Sequence, residues 1–178
     1  INEVGLPIAV RGVAQKYQRH ITRPEGYSLY QVTLVVRGNG VYIDEQKVSH
    51  CLERGSVFMF CKDVAHEYYG TGEDFETYWV NVDGIGAKEM FEYIGVENSC
   101  VYRIEDEYEL NRIRILFDEV HQAYWAARSD KNTTINNGIS AELDYNKYRE
   151  SEIIASTAAY RLIGNVGILL NRAKYGPA

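Results

Sequence analysis

Several common protein classes are excluded by what this chain lacks. A helix needs about 20 apolar residues to cross a bilayer, and no run of about eighteen occurs, so no membrane span is expected. The opening Ile-Asn-Glu-Val-Gly-Leu-Pro has neither the basic start nor the apolar stretch of a signal peptide. The missing initiator methionine leads us to expect a trimmed chain. Lys and Arg number 19 against 25 Asp and Glu, for a net charge of −6, and the basic residues do not cluster. Proteins that grip DNA neutralise phosphates with grouped basic side chains, so this chain alone should bind nucleic acid poorly. The three cysteines, Cys51, Cys61 and Cys100, have no CxxC spacing, and buried free thiols in a reducing cytoplasm are the expectation. The four histidines, His20, His50, His66 and His121, contain no His-x-His pair. A divalent metal needs several convergent ligands, so no metal or other cofactor is expected, and metal-dependent catalysis is disfavoured.

What remains is an ordinary globular composition, 46% hydrophobic and 25% charged over 178 residues, enough for one domain with a helical appendage. Hydrophobic period divides it. From about Gln15 to Val82 the signal is strand-like. Tyr30, Val32, Leu34 and Val36 alternate with Gln31, Thr33 and Arg37, predicting a half-buried strand. The Gly38-Asn39-Gly40 break predicts a hairpin to Val41–Asp44. Further strands are expected at Val48–Leu52, Val57–Cys61 (apolar throughout, hence covered on both faces), Val64–Tyr69 and Phe75–Val82. Short strands with Gly-centred turns and no helices between them indicate an antiparallel sandwich or barrel.

After Gly84 the period becomes helical. Ala87–Ile94 reads as a short helix ended by Gly95. Glu105–Arg128 reads as a long one with Leu110, Ile113, Phe117, Val120 and Tyr124 on one stripe. Ser129–Asp144 is polar and reads as a loop. A second long helix is expected at Glu150–Tyr175, its Gly164 and Gly167 marking close approach by another element, with Gly176-Pro177 as its stop.

The strand, turn and strand from Gly55 to His66 have the spacing of the second cupin motif, although Cys61 and Asp63 stand where that motif has Pro and Gly. Together with Arg23-Pro24-x-Gly26, Tyr30, Arg37-Gly38-x-Gly40, Tyr68, Tyr78-Trp79-Val80 and Asp83-Gly84, this order resembles the arabinose-binding domain of AraC-type transcription regulators from Arg23 to Gly84. The resemblance implies a mainly β fold, a cupin-type double-stranded jelly roll over residues 1–84, followed by a pair of long α-helices over 85–178 that dimerise. It implies a small effector, a sugar or sugar derivative, in a pocket of Arg23, Tyr68 and Trp79. Thr77 replaces the family's pocket histidine, a departure that argues against arabinose itself. It further implies a bacterial, cytoplasmic homodimer that reaches DNA only through a C-terminal helix-turn-helix domain absent from this chain. Alternation independently places Thr77 with Trp79, and His66 with Tyr68, on shared strand faces. Arg23, His66, Tyr68, Thr77 and Trp79 facing one lumen would make a mostly apolar cavity with a few directed polar groups, which suits a small polyhydroxylated ligand.

Plainer readings stand beside these. His66 can be a hydrogen-bonded core or rim histidine, Trp79 plain core, Arg23 a surface turn residue, and Tyr30 core. The dimer stripe, Leu110 to Tyr124, can equally be buried against the barrel. For the whole chain, the alternatives are a cupin-fold sugar enzyme and an interaction module with a filled barrel.

Overall fold

The computed structural model describes residues 5–17, 19–137 and 141–176. Its strands are β1 (Ala9–Tyr17), β2 (Ile21–Arg23), β3 (Tyr30–Arg37), β4 (Gly40–Ile43), β5 (Ser49–Leu52), β6 (Ser56–Phe60), β7 (His66–Gly70), β8 (Glu76–Asp83) and β9 (Ser99–Arg103). Its helices are α1 (Ile85–Tyr93), α2 (Glu107–Asn137) and α3 (Ala141–Tyr175). The strands form a five-stranded sheet in the order β1-β8-β3-β6-β9 and a four-stranded sheet in the order β2-β7-β4-β5, and every pairing is antiparallel. This is a double-sheet jelly roll with helices on the outer face of its larger sheet, the mainly β, cupin-type architecture expected.

The position of the core follows from strand alternation. On β3, β6 and β8 one set of alternate residues, including Val32, Leu34, Val57, Met59, Val80 and Val82, packs against α1, α2 and α3 in one large apolar cluster. The other set points between the sheets, where Val35, Tyr42, Leu52, Phe58, Phe60, Tyr68 and Phe75 form a second, mostly aromatic cluster. As expected, β6 is buried at every position.

Several sequence expectations change. The strand at β3 is not half-buried: its polar residues Gln31 and Thr33 are as inaccessible as its apolar ones, because they face the barrel interior rather than solvent. The turn at Gly38 does not close a hairpin. It carries the chain from one sheet to the other, since β3 pairs with β6 and β8 while β4 pairs with β5 and β7. A division at Gly84 is not clean either, because β9 returns to pair with β6 at the edge of the larger sheet. The polar stretch read as a loop is helical over Ser129–Asn137 and again from Ala141 onward, the residues at 138–140 lying outside those described. A polar run signals solvation, and it can extend a helix that an apolar stripe has already started.

Helix boundaries have local causes. Asp106 caps α2, its carboxylate accepting the Glu109 backbone N–H at 2.8 Å, as an N-cap does. Gly167 is indeed a point of close approach: a Cβ there would lie 2.4 Å from the Ile94 side chain. By length and hydropathy alone, Lys147–Tyr175 would suit a membrane span (mean hydropathy 1.5). Its inner side is instead part of the protein core through Ala155, Ala159, Leu162, Ile163, Val166 and Leu170.

The same packing revises the expected dimer stripe. Leu110, Ile113, Phe117, Val120 and Tyr124 are all buried within the chain's own core, so they have no surface to offer a partner. Helical apolar residues that remain exposed include Ile115 and Trp125 on α2 and Ile153, Ile154, Tyr160 and Ile168 on α3. The cysteines are free, but Cys51 is exposed, whereas Cys61 and Cys100 are partly buried. Burial pushes the Cys61 thiol up to about 11 and the Cys100 thiol up to about 12.

Candidate functional site

The barrel interior is where alternation places Arg23, His66, Tyr68, Thr77 and Trp79. Arg23 and His66 are directly opposite one another across β2 and β7, and Tyr68 pairs with Tyr42 of β4. The segment after β2 is clamped to the β6–β7 turn: Gly26 donates to the Arg23 carbonyl at 3.1 Å, and Asp63 donates to the Tyr27 carbonyl at 2.7 Å. Only glycine fits there, because Gly26 has φ +79 and a Cβ would lie 2.3 Å from the Asp63 carbonyl carbon. This clamp holds Tyr27 under the Arg23 guanidinium, 3.7 Å from its carbon to the ring centroid. Such a stack is a cation–π contact that fixes the plane of the guanidinium.

His66 is 4% exposed and is sandwiched among aromatic rings, with Phe60 stacked on it at 3.8 Å. Its Nδ1–H donates to the Val64 carbonyl at 2.8 Å, so Nε2 is a bare acceptor. Burial, opposed by the Val64 bond and aided by the nearby Arg23 charge, lowers its pKa to about 4. The imidazole is therefore neutral at physiological pH. Burial raises the Tyr68 phenol, partly offset by a hydrogen bond with Gln31 and by Arg23.

The larger sheet supplies the opposite wall in rows. Asn81, Gln31 and Phe60 form one row, Trp79, Thr33 and Phe58 the next, and Thr77 and Val35 a third. Gln31 is 2% exposed and its amide donates to Thr33 at 2.7 Å. Four buried polar atoms lack a hydrogen-bond partner: Arg23 Nη1, His66 Nε2, Asn81 Oδ1 and the Tyr42 hydroxyl. All four residues face the interior of the barrel. Ser99 lies near the Tyr42 hydroxyl but gives its own proton to Glu45 at 2.8 Å. Buried polar groups are nearly always satisfied, and each orphan costs about 1–3 kcal/mol.

The structure thus brings Arg23, His66 and Tyr68 together. Trp79 shares the inward face but stands toward the β1 side, half-buried over Gly12, with the Lys16 ammonium 5.9 Å from its ring. No hydrogen bond or ring contact joins Trp79 to the other three among the described residues, and Thr77 is two rows from Asn81. Sequence reasoning missed Gln31, Tyr42 and Asn81. The signal was present in β3, where a polar alternate face inside an otherwise apolar region marks a polar lumen as readily as a solvated surface. Among the described residues, no three His, Cys, Asp or Glu side chains gather as a metal would require.

A jelly roll with a polar, aromatic-walled interior and a helical cover defines a cupin-type ligand-binding barrel. This chain belongs to the family of AraC-like ligand binding domains, whose match spans residues 7–146. No curated protein matches. Solved structures include ToxT from Vibrio cholerae bound to a naphthalenyl-butenoic acid, at 12% identity, covering 96% of this chain and 58% of that one, with a TM-score of 0.48. Another is ToxT bound to an unsaturated fatty acid, at 12% identity, covering 61% of this chain and 43% of that one, with a TM-score of 0.40. A DUF861-family protein from Thermotoga maritima matches at 13% identity, covering 38% of this chain and 74% of that one, with a TM-score of 0.31. The chain spans about half the length of the ToxT chains it matches.

Proposed function

We propose that this chain is the effector-sensing and dimerising part of an AraC-type transcription regulator, and that its role is regulatory rather than catalytic. A small molecule, a sugar or sugar derivative, enters the barrel and is held by Arg23, His66 and Tyr68, with Thr77 and Trp79 lining the adjoining wall. One observation carries this reading: buried polar atoms on Arg23, His66 and Asn81 are left without partners in the interior. A barrel filled only for stability would not retain them, which argues against a pure interaction module.

Dimerisation is assigned to the outward side of the α2–α3 pair. A groove of about 540 Å³ runs between these helices, lined by Ala123, Ala126, Ile153, Ile154 and Ala158, with Glu119 and Arg161 at its polar rim. Ile153 and Ile154 are each about half exposed. A second copy would cover them, and the ligand would act by favouring one arrangement of the two chains over another. DNA contact falls to a domain outside these residues.

The test is a thermal-shift screen with sugars, sugar acids and other small metabolites. A true effector raises the melting temperature by mass action, and Arg23→Ala removes that shift. A hit that survives Arg23→Ala unchanged would refute the site. Separately, light scattering should find a dimer that Ile154→Glu converts to monomer, and a wild-type monomer at high micromolar concentration would contradict the assigned surface.

A further inference from the structure

The unpartnered groups in the barrel specify the charge of what binds there as well as its presence. Building on the sensor reading above, we propose that the effector is a small carboxylate that also carries a hydroxyl or amine donor, its carboxylate seated on Arg23.

Arg23 forms no ion pair among the described residues, and its Nη1 is buried without a hydrogen-bond partner. Tyr27, stacked on one face, fixes the guanidinium plane and leaves its edge free for a ligand. That edge is a fork of N–H donors matching the two oxygens of a carboxylate. A neutral hydroxyl would occupy one donor and leave the cation without an anionic partner, whereas a carboxylate supplies the charge and both acceptors. The neighbouring side chains do not supply the missing anion. His66 is neutral, and burial holds the Tyr68 phenol above its ordinary value.

The other two orphans have the opposite polarity. His66 Nε2 accepts only, because Nδ1 holds the ring proton and spends it on Val64. Asn81 Oδ1 is likewise an acceptor, and both side chains are 4% exposed. They require donors from the ligand. Phe60, Tyr42 and Tyr68 pack about the imidazole, an apolar setting suited to the carbon frame of a ligand. A neutral sugar has donors for His66 and Asn81 but no charge for Arg23. A simple aliphatic or aromatic acid has the charge but no donors. A hydroxy acid, sugar acids among them, supplies both.

The test uses matched probes on the full chain, read by calorimetry and thermal shift. Gluconate and galacturonate represent hydroxy acids, glucose and galactose neutral polyols, and benzoate and hexanoate acids without donors. We expect hydroxy acids to raise the melting temperature by several degrees and to bind at least tenfold tighter than either other class. Arg23→Met should abolish that difference, Arg23→Lys should keep part of it, and Asn81→Leu should weaken hydroxy acids toward the level of plain acids. Circular dichroism on each variant separates lost binding from lost folding. Neutral sugars binding as tightly as their acids would overturn the anionic assignment while leaving the sensor reading intact, whereas hydroxy-acid binding unchanged by Arg23→Met would overturn the anionic assignment and the Arg23 site together. Plain acids equalling hydroxy acids would remove the donor requirement and overturn the proposal. No binding by any probe or by a chemically broad metabolite set would overturn both readings.

Discussion

The two faces of the five-stranded sheet are built from the same strands yet follow opposite rules. The outer face, Val32, Leu34, Val57, Met59, Val80 and Val82, is apolar and closed by helices. The inner face of those strands holds Gln31, Thr33, Thr77, Trp79 and Asn81 alongside Phe58 and Phe60. Burial is similar on both sides, but polarity is not. The outer face loses nothing by being sealed, since apolar area removed from water stabilises at about 25 cal/mol per Å². The inner face seals away polar groups, and one of them, Asn81 Oδ1, has no hydrogen-bond partner among the described residues. The proposed function accounts for that asymmetry: it assigns stability to one face and recognition to the other.

The comparison can be broken by mutation. The largest effect should come from the outer face. Phe117→Ala, which removes a buried ring packed against Tyr78, should cost about 3–5 kcal/mol in urea unfolding. A loss below about 1 kcal/mol would mean the helices are not a true cover. On the inner face, Asn81→Leu should leave the ligand-free protein as stable as wild type or more so, because it removes an orphaned group. His66→Phe should stay within about 1 kcal/mol, since losing the orphaned Nε2 offsets the lost bond to the Val64 carbonyl.

A pH series sharpens the same contrast. Burial keeps the His66 imidazole at about 4 in the folded chain, against an ordinary value of 6.5. Between those values the unfolded chain holds a proton that the folded chain does not. Stability is therefore full above pH 6.5, falls as pH drops toward 4, and stops falling below it, by about 1–3 kcal/mol in all. His66→Phe should flatten that window, and an unchanged slope would place the titrating group elsewhere. The smallest effect is chemical. Cys51 should react with iodoacetamide at neutral pH well before Cys61 or Cys100, whose thiols burial keeps protonated. Peptide mass mapping that finds Cys100 alkylated first would contradict the packing of β9.

Much of this was legible in sequence, for identifiable reasons. Alternation located β3, β6 and β8, because side chains on a strand must choose a face, and the stripe from Leu110 to Tyr124 located α2. The role of that stripe was not legible: period shows that a face is buried, but not whether the chain's own sheet or a second copy covers it. The strand β9 was missed because its five residues are all partly or wholly accessible and carry no strong alternation. Arg23, His66 and Tyr68, which the structure brings together, were singled out through their order along the chain. Asn81 and Gln31 were not, since a polar residue alternating with apolar ones reads as solvent-facing until the second sheet is seen to cover it.

The most direct test of this account is denaturant unfolding of the ligand-free double variant His66→Phe, Asn81→Leu beside wild type. If the inner face is kept polar for a ligand, the double variant folds and stays within about 1 kcal/mol of wild type or is more stable. A loss of about 3 kcal/mol or more, comparable to removing a core ring, would show that these polar groups serve the fold, and the recognition face would be misassigned.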